Sequence, residues 1–306
     1  MVYLLIVFKY IIYGSTVFFT SSLLESTDVL DVLALRFLLS GVVFGVLIAT
    51  RIIKVNFKGK NLKYIILTGM FEPVLYFTFE TLGLSMTTYI KAAIIIAITP
   101  IMSCITQRIV LKEKTNFLQN IFLVIGVSGI IYVVVHTTSE EGKDSPWGML
   151  FMLLAVVSTT FYSAFSRKVS KHGEFTPMEI TCFTAFMGAV AFNSVNLVRH
   201  LANGTITSYF KPYFSLDNII GFVFLGVIST IIATAVQNVV LAKIPPARSA
   251  AFGGLSTLIT IVEGVLLKGE KLRYFHVIGT TLIIACIFGV NFFADKQPRL
   301  KVKNSK

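Results

Sequence analysis

Charge is what this sequence has least of: Asp, Glu, Lys and Arg make up 14% of its 306 residues, against about 25% in an average soluble domain. So few charges cannot cover a water-facing surface, which excludes an ordinary soluble globular fold. Cysteine is scarce as well. Cys104, Cys182 and Cys286 are odd in number, lack metal-ligand spacing and all fall inside apolar segments, so they read as buried thiols and not as a disulfide or zinc framework. The four histidines, His136, His172, His200 and His276, sit at predicted helix ends without zinc-like spacing, and no metal or other cofactor is expected. A Gly-rich phosphate loop of the Walker type is absent too, which excludes transport driven by a P-loop of this chain's own.

The surplus lies in apolar residues. They make up 55% of the chain, and the mean hydropathy is +0.80. Apolar runs recur at near-constant spacing at 2–24, 29–50, 63–84, 88–111, 117–136, 147–167, 177–199, 218–241, 247–268 and 274–294. Each is close to the roughly 20 residues that a helix needs to cross a bilayer. Barrel strands would instead alternate polar and apolar residues over about ten positions. The spacing therefore predicts an all-α membrane protein of ten transmembrane helices. The first run lacks a basic leader and a good cleavage site, so it reads as a spanning helix and not as a removed signal.

The formal net charge of +12 would suit nucleic acid, yet the basic residues form short clusters between apolar runs and no continuous face, so no nucleic-acid partner is expected. The clusters act as topology signals. With the N-terminus inside, Arg51, Lys54, Lys58, Lys60 and Lys63, then Arg108 to Lys114, Arg167 to Lys171, and the tail from Lys296 to Lys306 all face the cytoplasm. The acidic stretches Glu25 to Asp31 and Glu140 to Asp144 fall outside. By the positive-inside rule, a multi-pass protein of the cytoplasmic membrane is expected, with both termini cytoplasmic.

Sliding the chain by 157 residues lays 68–135 over 225–292 without a gap. Gly69 then meets Gly226, Glu80 meets Gln237, Lys91 meets Arg248 and Thr99 meets Ser256. An odd number of helices per half requires the two halves to be inserted in opposite senses, so the expected architecture is two inverted five-helix repeats. The boundaries that follow are 1–136 for the first repeat, 137–146 for an extracytoplasmic linker, 147–295 for the second repeat and 296–306 for a basic cytoplasmic tail.

The segment LGLSMTTYIKAAIIIAITPI at 82–101, followed by LKEK at 111–114, resembles the EamA-type repeat of the drug/metabolite transporter superfamily. In that repeat a small, hydroxyl-rich stretch and a basic residue open a helix, a Pro interrupts it and a Glu-Lys or Glu-Arg pair follows. IPPARSAAFGGLSTL at 244–258 with GEKL at 269–272 is similar to a second copy, departing at Thr257 where the family commonly has Pro. Leu35-Arg36-Phe37 also matches the family's pattern. The resemblance implies two EamA-like repeats and a transporter, with the helices carrying Thr99, Pro100 and Ser103 and carrying Ser256, Thr260 and Glu263 beside the central site.

Ionisable groups within a span are functional candidates by default. Glu72 and Glu80 lie eight residues apart with Tyr76 midway. On an ideal helix Glu80 is then about 80° around from Glu72, so all three can face one cavity. Two readings of Glu72 stand: it binds a cationic substrate or carries a coupling proton, or it is buried against Arg36, Lys9 or a hydroxyl and only fixes packing. Glu80 reads either as part of the substrate site or as a rim ion pair with Lys91. Lys91 and Arg248 read as gate residues or as snorkelling helix ends. Pro73 and Pro100 are hinge candidates, and Gln237 and Asn238 complete the polar inventory. Tyr76 is expected in the cavity, while most other aromatics, among them Tyr132, Trp147 and Tyr162, are expected to face lipid or the interface.

Together these features predict a secondary-active transporter that moves a small metabolite, amino acid or drug-like solute by alternating access, coupled to protons or to exchange, with export favoured over uptake. Expected partners are the small-molecule solute and membrane lipids, the protein itself being a monomer or a homodimer. A membrane-embedded enzyme and a channel or receptor are the rival classes, and the chain shows neither a nucleophile–base set nor a filter-like loop.

Overall fold

The computed structural model describes residues 2–112, 145–171, 173–250, 252–269 and 272–294, with isolated positions between 118 and 132. Among these residues there are helices and no strands. That is the expected outcome where no water is at hand to satisfy backbone groups, since a helix satisfies them within itself. Eight helices are long and apolar enough to cross a membrane: α1 Val2–Leu24, α2 Val29–Ala49, α3 Lys63–Met86, α4 Ile90–Val110, α5 Pro146–Lys171, α6 Pro177–Ala202, α7 Asn218–Lys243 and α8 Pro246–Lys268. A ninth helix, α9, spans Tyr274–Ala294. Most of the expected span at 117–136, most of the 137–146 linker and the tail at 296–306 lie outside the described residues.

Local sequence explains where several helices begin and end. Thr176 accepts from the Glu179 backbone N–H at 3.2 Å while Glu179 Oε2 accepts from the Thr176 N–H at 2.8 Å, a reciprocal cap completed by Pro177 in the first turn. Gly269 ends α8 with a φ of 67°, which a residue without Cβ adopts freely.

Four of the spans are not regular, and these irregular segments shape the interior. In α3 regular helix runs from Lys63 to Gly69 and from Tyr76 to Met86, and the wide turn Met70–Leu75 lies between. Glu72 is extended there (φ −146°, ψ 116°) and Pro73 follows it through a cis peptide bond. Pro73 also lacks the N–H that would continue the ladder. The ideal-helix angle between Glu72 and Glu80 therefore does not apply. A second wide-turned segment, Phe224–Ala233, occupies the middle of α7. In α4 the helix is interrupted between Ile96 and Thr99, and Pro100 stands in the first turn of the second part, where its missing N–H costs nothing. α8 carries its interruption before Gly253 and continues unbroken through Thr257.

The helices pair across the two halves of the sequence. α3 packs along α5, α2 along α6, and α1 along both α7 and α8, while α4 lies against α5 and α8. The outward faces are apolar, with Leu4, Val190, Leu266 and Phe288 among the most exposed side chains. Many buried positions are polar, including Lys9, Arg36, Glu72, Glu80 and Asn238. This distribution suits a molecule whose surroundings are lipid and whose polar work is done inside. The two cysteines described, Cys104 and Cys182, are buried free thiols.

Candidate functional site

The interior holds a cavity of about 100 Å³ walled by α1, α3, α4, α5, α7 and α8. By the same measure one water needs roughly 10 to 15 Å³, so several waters or one small organic molecule fit.

Glu72, Tyr76, Glu80, Thr99, Ser103, Gln237 and Ser256 all line it. Glu72 reaches it because the wide turn in α3 swings its side chain inward, where Oε2 accepts a hydrogen bond from Thr159 Oγ1 of α5 at 2.9 Å. At the start of the second regular part of α3, Tyr76 OH donates to Glu80 Oε1, one turn further on, at 2.9 Å. Glu80 is 1% exposed, so it does not stand at a rim, and its Oε2 has no hydrogen-bond partner.

Two buried cations flank these carboxylates without pairing to them. Arg36 donates to Thr230 Oγ1 at 3.0 Å and Ser229 Oγ at 3.2 Å, and its guanidinium lies 4.2 Å from the centre of the Phe77 ring. Lys9 donates to Ser249 Oγ at 2.7 Å and to Gln237 Oε1, and sits 4.2 Å from the centre of the Tyr10 ring. Ion pairs among the described residues include Lys60–Glu179, Arg199 with Asp28 and Asp31, His200–Asp31 and Lys268–Glu25, none of which involves these carboxylates.

Other expected site residues stand outside the cavity. Asn238 is fully buried behind it, accepting from Tyr162 OH at 2.8 Å and Ser166 Oγ at 2.7 Å and donating to Thr181 Oγ1 at 3.0 Å. The same bond makes Tyr162 an interior residue and not a lipid-facing one, since its hydroxyl finds a partner only there. Thr260 donates to Gly14 O at 2.9 Å and seals the crossing of α1 and α8. Glu263 accepts from Ser15 Oγ at 2.6 Å on the flank of that crossing. Lys91 is buried at 6% exposure, whereas Arg248 is exposed. Trp147 is exposed, as an interfacial anchor would be.

Several lining residues escaped the sequence reading: Tyr10, Tyr13 and Thr16 of α1, Thr159 and Ser163 of α5, and Ser249 of α8. A stripe of hydroxyl groups at helical spacing, as at positions 10, 13 and 16, was the available signal. A second polar cluster also went unread. Asp31 of α2 accepts from Asn196 Nδ2 at 2.9 Å and Arg199 Nη2 at 2.7 Å, with His200 Nε2 also 2.9 Å away, which fastens α2 to α6 at one end.

A model of the EamA-like transporter family matches residues 1–135 and again 146–292. The chain belongs to the EamA-like transporter family. Relatives of this EamA-like protein include the uncharacterized transporter YcxC of Bacillus subtilis, 29% identical over 294 residues that cover 96% of this chain and 93% of that protein. The uncharacterized inner membrane transporter YedA of Escherichia coli K12 is 21% identical over 286 residues, 91% of this chain and 86% of its own length. A crystal structure shares the fold with a TM-score of 0.63 and 18% identity, covering 95% of this chain and 96% of its own. As a family member with several apolar spans, the protein is a multi-pass membrane transporter, which points away from the enzyme class.

Proposed function

We propose that this protein is a secondary-active transporter of a small solute, working by alternating access across the cytoplasmic membrane, with both termini in the cytoplasm and export as its direction. The observation that carries the reading is the interior cavity with two carboxylates in its wall, lined by helices from both halves of the chain. A solute path needs such a site near mid-membrane, and buried carboxylates are the usual carriers of coupling protons.

The proposed frame is ten helices in two inverted five-helix repeats, 1–136 and 147–295, joined by the extracytoplasmic linker 137–146 and followed by the basic tail 296–306. Two observations support it. The family match falls in two segments. In addition, the repeat offset of 157 carries positions 70–75, the wide turn of α3, onto positions 227–232, inside the wide-turned segment of α7. Equivalent helices thus carry equivalent irregularities, beside the cavity in both cases.

In this frame Lys91 and Arg248 are equivalent residues at opposite membrane faces. The burial of Lys91 and the exposure of Arg248 fit a form closed outside and loosened inside. Glu72, Tyr76, Glu80, Thr99, Ser103, Gln237 and Ser256 are the proposed solute and coupling residues, Arg36 and Lys9 stand beside them bonded to neutral groups, Pro73 and Pro100 mark the hinges, and Asn238, Thr260 and Glu263 support the wall from behind.

Proteoliposomes loaded with a metabolite mixture, with a pH gradient and no ATP, test the reading by mass spectrometry of what crosses. Saturable movement of at least one solute is expected. Movement only with ATP, or non-saturating leakage of many solutes, would rule the reading out.

A further inference from the structure

From the unpaired carboxylates in the cavity we infer that the solute is a small protonated amine carrying no carboxylate of its own. The inference rests on the transport reading above and narrows its substrate class.

Among the residues lining the cavity, Glu72 and Glu80 are acidic and none is Lys, Arg or His. Glu80 is 99% withdrawn from solvent, and its Oε2 is a strong acceptor left without a donor. A buried carboxylate oxygen in that state is costly, and the missing partner is a donor that arrives with the ligand. An ammonium group supplies both the N–H and the opposite charge. The neighbouring cations do not fill this role. Arg36 is committed to Ser229 and Thr230, and Lys9 to Gln237 and Ser249, all of them neutral.

The same geometry limits the kind of cation. Quaternary ammonium groups are held by aromatic faces. Of the four lining aromatic rings, Phe77 already faces Arg36 and Tyr10 already faces Lys9, which leaves Tyr13 and Tyr76. The unpartnered carboxylate oxygen is completed only by an N–H, which a quaternary group lacks. A zwitterion fits poorly as well, because its own carboxylate would meet two carboxylates and no basic lining residue. The cavity volume of about 100 Å³ sets the size at a few carbon atoms around the amine.

Calorimetric titration of the detergent-purified full chain with four probes sharing one branched carbon skeleton tests this: 3-methylbutylamine, 3-methylbutan-1-ol, 4-methylpentanoate and L-leucine. The amine is expected to bind at least about 10-fold tighter than each of the other three. Glu80→Gln is expected to weaken it by about 10- to 100-fold, the usual worth of one hydrogen bond to a charged group. Glu174→Gln, in the loop after α5, serves as the control for loss of one carboxylate and should leave the affinity unchanged. Thermal melting of both variants separates misfolding from lost contact, and if Glu80→Gln melts early, Glu80→Asp takes its place, with weaker amine binding expected. Equal binding of amine and alcohol, tighter binding of leucine or the acid, or unchanged affinity in a folded Glu80 variant would overturn the inference. Because binding is read without transport, amine binding with no flux of any solute would sink only the transport reading. Flux of a neutral or anionic solute without amine binding would sink only the substrate class.

Discussion

Thr159 Oγ1 donates to Glu72 Oε2 at 2.9 Å, so a hydroxyl in the middle of α5 holds the carboxylate that stands at the break in α3. The two residues belong to different halves of the chain, and the bond closes one wall of the cavity. Replacing Thr159 with Val keeps the shape and removes the donor. The expected cost is about 1 to 3 kcal/mol, the penalty of leaving a buried acceptor unsatisfied. A lowered melting temperature in detergent checks it, and Thr159→Ser should restore most of the loss.

Lys9 tests charge against packing. It is fully buried between Gln237, Ser249 and the Tyr10 ring. Burying a charge opposes folding, and an apolar side chain of like length is often neutral or stabilising in its place. Lys9→Met is therefore expected to melt at the same temperature or higher while its transport rate falls at least about 10-fold. A variant that melted several degrees lower and transported normally would contradict this.

The crossing of α1 and α8 has no room for a methyl group at Gly14. A Cβ there would stand 2.7 Å from Ile259 Cβ and 3.1 Å from Ser256 O. Gly14→Ala is expected to destabilise by about 1 to 3 kcal/mol, as overpacking does. Gly45 of α2 has nothing within 4 Å of the same added atom, so Gly45→Ala is expected to be neutral or to stabilise by up to about 1 kcal/mol. Thermal melts of the pair give the comparison directly.

Lys268 at the end of α8 pairs with Glu25 at the end of α1. If these ends separate during the cycle, tying them together stops it. A Glu25→Cys/Lys268→Cys pair on a background without the natural cysteines, joined by a short bis-maleimide, is expected to lose nearly all transport. The unlinked pair should keep it. Full transport after linking would show that this end does not open.

Orientation is open to labelling. A cysteine introduced at Lys58 and another at Lys301 should both react with an impermeant maleimide only after the membrane is opened, because both positions are expected on the cytoplasmic side. Opposite behaviour of the two would contradict the even helix count.

The helices were legible in the sequence because hydropathy and length are local properties, and lipid admits no competing backbone structure. Helix α2 begins at Val29 and α6 at Pro177, as the apolar runs indicate, and the far ends differ by three residues or fewer. The candidate site was only partly legible. Glu72 and Tyr76 were readable as ionisable or polar groups inside an apolar run. Asn238, equally polar and equally internal, turned out to be a packing bond for Tyr162 and Ser166, because sequence shows that a group is polar but not whether a neighbouring helix already satisfies it.

By itself, then, the sequence determined that the chain lives in a membrane as a bundle of helices and that it belongs among transporters. Each of these follows from the order of side chains along a single segment. Only the tertiary structure decided that Thr159 meets Glu72, that Arg36 and Lys9 leave the carboxylates unpaired, and that Glu80 keeps a free oxygen. Those outcomes depend on how helices distant in sequence cross and on where α3 and α7 depart from regular geometry, and a shift of one turn in either would bring different groups face to face.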